Sequence, residues 1–221
     1  MFSGIVEAQS KILKSIPLKD SVRIQVTRPE SFDDIKEGDS ICVNGICLTV
    51  ETFTKTMMQF CLGAETLKVL GRNFQVWPKK TLNLERSLQF GQRVHGHLVT
   101  GHVDTLAKIV KSYKQGECWQ FEIEVPKSLT PFFWKKGSVC LNGVSLTVNE
   151  YFKKGSQHLL DVCLIPETIK VTNLVEFKTG EFFNIEADYL AKAYLQSRPD
   201  QIVANSKSEK KPKTKPKAKK K

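Results

Sequence analysis

The chain repeats itself, and no other feature constrains its fold as tightly. Residues 2–15, FSGIVEAQSKILKS, align with residues 99–112, VTGHVDTLAKIVKS, with six of fourteen positions identical. SICVNGICLTV at 40–50 aligns with SVCLNGVSLTV at 138–148, seven of eleven identical. Glu65-Thr66-Leu67-Lys68-Val69 then matches Glu167-Thr168-Ile169-Lys170-Val171, and Asn83-x-Glu85 matches Asn184-x-Glu186. The matches keep their order at nearly one offset, which means two homologous units of about 100 residues, an ordinary domain size.

Each unit reads as strand. VRIQV (22–26), ICLTVETF (46–53) and MMQFCLG (57–63) in the first are short and rich in β-branched or aromatic residues. FEIEV (121–125), VSLTVNEYF (144–152) and LLDVCLI (159–165) in the second are alike. Asn44-Gly45 and Asn142-Gly143 sit between apolar runs and predict tight hairpins, because both residue types tolerate positive φ. Gly38 and Gly137 mark turns before the preceding strands, and short helices are expected after Glu65-Thr66 and Glu167-Thr168. Only DYLAKAYLQS (188–197) carries a clear helical pattern, with Leu190, Ala193, Tyr194 and Leu195 leaving an apolar side. Many short strands with few helices predict an all-β chain of small closed barrels. A helix outside two complete barrels needs a surface to pack on, and a second subunit would supply it.

Charge is unevenly spread. Residues 207–221, KSEKKPKTKPKAKKK, hold nine lysines and one glutamate and so carry +8 of the chain's +11. Lysine and proline with little else cannot offset the entropy of ordering, so a disordered tail is expected. It reads either as a solubilising appendage or as a loose attractor of polyanions, nucleic acid among them. The remainder is close to neutral, which argues against a nucleic-acid groove in the folded part. No run of about 18 apolar residues exists, so no membrane span is expected, nor is a secretory leader. The six cysteines form no CxxC pair and fit free thiols in a reducing cytoplasm.

A duplicated binding unit can divide labour, so equivalent positions that differ in chemistry matter. Cys47 corresponds to Ser145, Ile5 to His102 and Ser87 to Asp188, whereas Thr49 and Thr147 agree, as do Ser40 and Ser138. One half thus offers a thiol, and the other a hydroxyl, an imidazole and a carboxylate, groups that serve as nucleophiles or move protons. Plainer readings stand beside these. Cys47 in an apolar strand also reads as a small core residue, and Asp188 as a helix N-cap. His95, His97 and His102 lie close in sequence, but only the first two follow strand alternation and no fourth ligand is evident, so no metal is expected.

These residues resemble the riboflavin synthase family of the α type. The resemblance rests on MFSGIVE (1–7), GDSICVNGICLTV (38–50), AETLK (64–68), LNLERSL (82–88), GHLVTGHVD (96–104), NGVSLTV (142–148), IPETIKVTNL (165–174) and FNIEADYLAKAY (183–194), in order across both halves. It implies two six-stranded Greek-key barrels in tandem, over residues 1–97 and 98–187. It also implies an oligomerisation helix at 188–200 that assembles a homotrimer, ahead of a Lys-rich tail at 201–221. It implies a dismutation in which two molecules of 6,7-dimethyl-8-ribityllumazine exchange a four-carbon unit, without a metal or redox cofactor, between barrels of neighbouring subunits.

Carried over residue by residue, the resemblance implies catalytic roles for Ser40 and Cys47 in the first barrel, with His102, Ser145, Thr147 and Asp188 in the other. Ligand contacts, largely through backbone groups, are implied at Gly4, Ile5, Val6, Cys47, Leu48, Thr49, Cys61, Gly63, Ala64, Thr66, Thr100, Gly101, His102, Lys136, Ser145, Leu146, Thr147, Leu160, Val162, Cys163, Leu164 and Ile165. A separate lumazine synthase is a possible partner. Four places depart from the family pattern: His95-Gly96 replaces paired glycines, and Trp77-Pro78-Lys79-Lys80 lacks a turn glycine. Gly71-Arg72 stands for Thr-Asn, and Cys61 takes a position that is acidic in some members. The competing readings are a lumazine- or flavin-binding protein without turnover, and a nucleic-acid-binding barrel suggested only by charge.

Overall fold

The computed structural model describes residues 1–197; the expected Lys-rich tail lies outside the described residues. Strands β1 (Ala8–Ser10), β2 (Ile12–Pro17), β3 (Ser21–Thr27), β4 (Ser40–Val43), β5 (Ile46–Phe53), β6 (Met57–Gly63) and β7 (Leu82–Arg86) form the first sheet, with helix α1 (Ala64–Leu70) between β6 and β7. The second sheet holds β8 (Thr105–Gln115), β9 (Cys118–Val125), β10 (Ser138–Leu141), β11 (Val144–Thr147), β12 (Glu150–Lys154), β13 (Gln157–Leu164) and β14 (Phe182–Ala187), with helix α2 (Pro166–Val171) after β13 and helix α3 (Tyr189–Gln196) last.

Seven strand segments per sheet are six strand paths. The orders are β1-β7-β4-β5-β6-β3-β2 and β11-β10-β14-β8-β9-β13-β12. In the first sheet the two edges, β1 and β2, are one path broken only at Lys11. In the second, the edges β11 and β12 are one path broken at Val148-Asn149. Each sheet therefore closes on itself, which removes its free edges. Both halves trace the same Greek-key cycle, as the repeat predicts. The breaks fall on different paths, because irregularities that turn a barrel corner can be carried by different strands.

Alternation along the strands fills each barrel. Ile24, Val26, Phe60 and Leu62 point into the first core, beside Trp77, while Phe121, Ile123, Val162, Leu164 and Phe183 point into the second. A smaller cluster of Phe2, Val99, Cys42 and Cys140 lies between the barrels. Burial pushes both thiols well above their ordinary value, so these two cysteines are core residues.

The predicted hairpins form as the Asn-Gly pairs require. Asn44 and Gly45 have φ of 48° and 86°, and Asn142 and Gly143 have 46° and 82°. The two turns meet head to head, since a Cβ on either glycine would stand 2.9 Å from the other's amide nitrogen. Asparagines lock this contact. Asn83 donates to Asn142 O at 2.9 Å, and Asn184 donates to Asn44 O at 2.8 Å, so each half satisfies a buried carbonyl of the other.

One sequence expectation is corrected here. The counterpart of buried Asn173 is Asn73, which donates to Asn184 Oδ1 at 2.9 Å, so Gly71-Arg72 belongs to an insertion rather than replacing Thr-Asn. Gly137 does lie in the turn before β10, its amide donating to Trp134 O at 3.0 Å, and the residue there that shares the positive φ of Gly38 is Lys136, at 67°. Trp77-Pro78-Lys79 closes a 3-10 segment, Gly71–Lys79, that buries Trp77 and replaces the missing glycine turn.

Candidate active site

Each barrel has a slot where its strands part. The β5–β6 ladder begins at Phe53↔Met58 and ends at Val50↔Phe60, leaving Cys47–Thr49 opposite Cys61–Gly63 beyond the last rung. In the second barrel, β12 pairs with β13 as far as Glu150↔Asp161, leaving Ser145–Thr147 opposite Val162–Leu164. Main-chain groups released from a ladder in this way can hydrogen-bond a planar heterocycle edge-on. Strand alternation decides which side chains reach the slots. Cys47, Thr49, Cys61, Ser145, Thr147 and Cys163 face outward, whereas Leu48, Leu160, Val162 and Leu164 lie in the cores. These four leucine and valine positions can offer a ligand only backbone.

The slots are walled by the opposite half. The Ser145 amide donates to Gly4 O at 2.8 Å, and the Cys47 amide donates to Gly101 O at 2.9 Å. Gly4 and Gly101 have φ of 76° and 78°, and a Cβ on either would stand 2.6 Å from the Cβ of Ser145 or Cys47 respectively. Only glycine fits both demands. Buried carboxylates hold these segments down. Glu85 accepts from Ser3 N, Ser3 Oγ and Gly4 N, at 2.6, 2.8 and 3.0 Å. Glu186 accepts from Thr100 N, Thr100 Oγ1 and Gly101 N, at 2.8, 2.7 and 3.0 Å. Burial raises the Glu85 carboxyl, and these three hydrogen bonds oppose it.

The crossing reassigns His102. Although it belongs to the second half of the sequence, it lines the first barrel's cavity, of about 280 Å³, with Cys47, Glu65, Thr66, Val69 and Gly101. The first slot therefore carries thiol and imidazole together, and Ile5 takes the matching place beside Gly4. Ser40 is not in this cavity. It pairs with Thr49 and opens onto a separate polar depression with Asp39, Arg86 and Ser87.

The second slot has an imidazole that the sequence comparison did not single out. His97, from the segment joining the halves, places Nδ1 2.7 Å from Ser145 Oγ. Burial lowers its pKa, while the charges of Asp188 and Glu186 pull it upward. Asp188 also caps α3, accepting from Leu190 N at 2.7 Å, so its plainer reading holds. No repeat partner exists for a linker histidine, which is why self-comparison misses it. Three histidines close in sequence thus diverge in space, and among the described residues no cluster of His, Cys, Asp or Glu suited to a metal occurs. Exposed Lys136 keeps a left-handed backbone that costs a non-glycine residue about 1–2 kcal/mol. Strain of this kind concentrates at ligand sites.

The departures from the family pattern mostly resolve. A Cβ on Gly96 would stand 2.1 Å from Ser3 O and 2.7 Å from Ser145 Cβ, so the glycine kept is the one that packing demands, and exposed His95 takes the free position. Cys61 is paired across the ladder with Arg23, whose guanidinium instead donates to Glu51 at 2.8 Å.

Comparison with known proteins identifies the family. The Lumazine binding domain family matches the chain twice, over residues 3–87 and 100–188. The riboflavin synthase of Brucella abortus (strain 2308) is 35% identical over 198 residues, covering 87% of this chain and 95% of that one. That of Photobacterium phosphoreum is 37% identical over 194 residues, covering 87% and 86%, and that of Bacillus subtilis (strain 168) is 34% identical over 192, covering 87% of each. Among solved structures, LumP complexed with 6,7-dimethyl-8-(1'-D-ribityl) lumazine has the same fold, with TM-score 0.73 at 22% identity over 85% of this chain and 99% of that one. With both lumazine-binding repeats present and curated relatives matched along most of their length, the chain belongs to the riboflavin synthase family.

Proposed function

We infer that the chain catalyses the riboflavin synthase reaction: two molecules of 6,7-dimethyl-8-ribityllumazine dismutate by four-carbon transfer, giving riboflavin and 5-amino-6-ribitylamino-pyrimidinedione. The observation that carries this is the pair of equivalent slots, each with an open main-chain edge and each walled by the other half. Two copies of one substrate call for two similar pockets with unlike side chains. Cys47 and His102 attend one lumazine; Ser145, His97, Thr147 and Asp188 attend the other. We assign Cys47 with a water, and His102 beside it, to the electrophilic ring carbon of the first lumazine, while His97 and Ser145 take the 7-methyl proton of the second. The pyrimidine carbonyls take up developing charge, so much of the acceleration comes from holding two rings face to face.

The first slot's cavity contains no residue of the second slot, which supports a face-to-face pair formed across a subunit boundary. A homotrimer is our reading. Helix α3 leaves Tyr189, Leu190 and Tyr194 exposed beside Trp134, an apolar surface suited to another copy. We take residues 1–97 and 98–187 as the binding domains and α3 as the oligomerisation helix; the end of the expected 188–200 segment lies outside the described residues. The setting we propose is the cytoplasm, where the free thiols persist. An enzyme that makes the lumazine is a natural neighbour, and residues 201–221 attract polyanions loosely.

The test is to mix the purified chain with 6,7-dimethyl-8-ribityllumazine alone and follow riboflavin absorbance and fluorescence. Catalytic formation of one riboflavin for every two lumazines, lost in the Cys47→Ala, His102→Ala double variant, is expected. Tight binding without riboflavin would leave a non-catalytic lumazine-binding protein.

A further inference from the structure

We propose that Cys118 and Cys163 form a reversible dithiol–disulfide site on the outer face of the second barrel, at the lip of its slot, oxidised by small disulfides of the glutathione class. β13 pairs with β9 through Cys163↔Gln120 and Leu164↔Trp119. Cys118 therefore sits two residues from the direct partner of Cys163, on the same face, as a diagonal neighbour. Both side chains are half-buried, and burial together with the neighbouring Cys118 thiol raises the Cys163 thiol above its ordinary value. Cys118 is the first residue of β9, and Cys163 the next to last of β13. Diagonal neighbours, at about 7–8 Å, need backbone movement to bond, and strand ends are where such movement disturbs the fewest ladder rungs. The other cysteines offer less. Cys42 and Cys140 are fully buried between the barrels, out of an oxidant's reach, and Cys47 and Cys61 lie on strands whose ladder has ended before it reaches them.

The chemistry balances in two exchanges. One thiol loses its proton, and its sulfur attacks oxidised glutathione, forming a mixed disulfide and releasing one glutathione thiolate. The second cysteine, likewise deprotonated, attacks the protein sulfur of that mixed disulfide, forming the Cys118–Cys163 bond and expelling the second glutathione. Two electrons pass from the protein to oxidised glutathione, and the two protons end on the released glutathiones. Because Cys163 is the middle residue of the main-chain edge Val162–Leu164, the bond draws that edge toward β9. This second consequence rests on the slot being the lumazine site.

The test incubates the full chain with oxidised glutathione, blocks remaining thiols with iodoacetamide and maps peptides by mass spectrometry without reduction. A cross-linked peptide pair joining Cys118 to Cys163, absent in Cys118→Ser and removed by dithiothreitol, is expected. Stable glutathione adducts without that cross-link, or no reaction at either thiol, would overturn the proposal. Lumazine binding is then measured by fluorescence on both proteins. Oxidation should weaken it several-fold in the parent chain and leave Cys118→Ser unchanged. A cross-link with unchanged affinity would refute the coupling to the slot while the dithiol site stands. Failure of the untreated chain to bind lumazine would instead count against the proposed function.

Discussion

His97 and Ser145 meet at 2.7 Å, joining a linker residue to the second barrel's slot. With neutral imidazole, Ser145 can donate to Nδ1 and so keep its oxygen turned toward a bound ring. His97→Gln and Ser145→Ala should each lower turnover on the order of 10²-fold, the usual scale for one acid–base group. The double variant should be little worse than either single one, because the two act as a unit. Single-turnover riboflavin formation measures this; independent, multiplying losses would contradict it.

The same histidine gives a pH dependence with a definite sign. Burial holds its folded-state pKa below the unfolded value. The unfolded chain therefore takes up the proton first as pH falls, and stability is lost through the window between the ordinary imidazole value and the lowered one. Above that window His97 contributes nothing to the slope. Urea unfolding across this range should show a decline on acidification that is smaller in His97→Gln.

Gly96 and His95 make a paired test of packing. Gly96→Ala forces a Cβ against Ser3 O and Ser145, and should cost about 2 kcal/mol or more. His95→Gly restores the family's paired glycines at an exposed position and should change stability by less than about 0.5 kcal/mol. Thermal melts of the two variants distinguish these outcomes directly.

Lys136 should separate stability from binding. Lys136→Gly relieves a left-handed lysine backbone and should stabilise the chain by about 1 kcal/mol. If the lysine is retained for its ligand, lumazine affinity should fall in the same variant. A gain in melting temperature with unchanged affinity would remove Lys136 from the site.

The asparagine lock predicts cooperativity. Asn83→Ala leaves Asn142 O without its buried donor and should cost about 1–3 kcal/mol, with Asn184→Ala matching it through Asn44 O. In each variant both barrels should lose stability together in chemical denaturation, although the removed side chain belongs to one.

Much of this fold is legible in the residues. The ordered repeat announces two equal units, Asn-Gly at 44–45 and 142–143 announces the hairpins, and the apolar alternation of β6 and β13 fixes which side chains are core. What pattern reading misses is three-dimensional crossing. No local signal says that Gly101 must lie on Cys47, or that His97 will reach Ser145, because both contacts join segments far apart in the chain. The left-handed backbone at Lys136 is illegible for a different reason: no local signal marks a lysine for positive φ when a glycine stands beside it. The strand breaks at Lys11 and Val148-Asn149 are likewise tertiary, set by where each barrel bends.

The swapped walls at Gly4 and Gly101 mean that the units inherited by copying and the units that hold a ligand are different partitions of one chain. A cut between the halves would respect ancestry and still sever both receptacles, each half leaving with its own floor and its neighbour's side. Sequence drift in one repeat is therefore felt first in the other's pocket. Two initially identical copies could acquire unlike chemistry by that route, without either barrel changing its own frame.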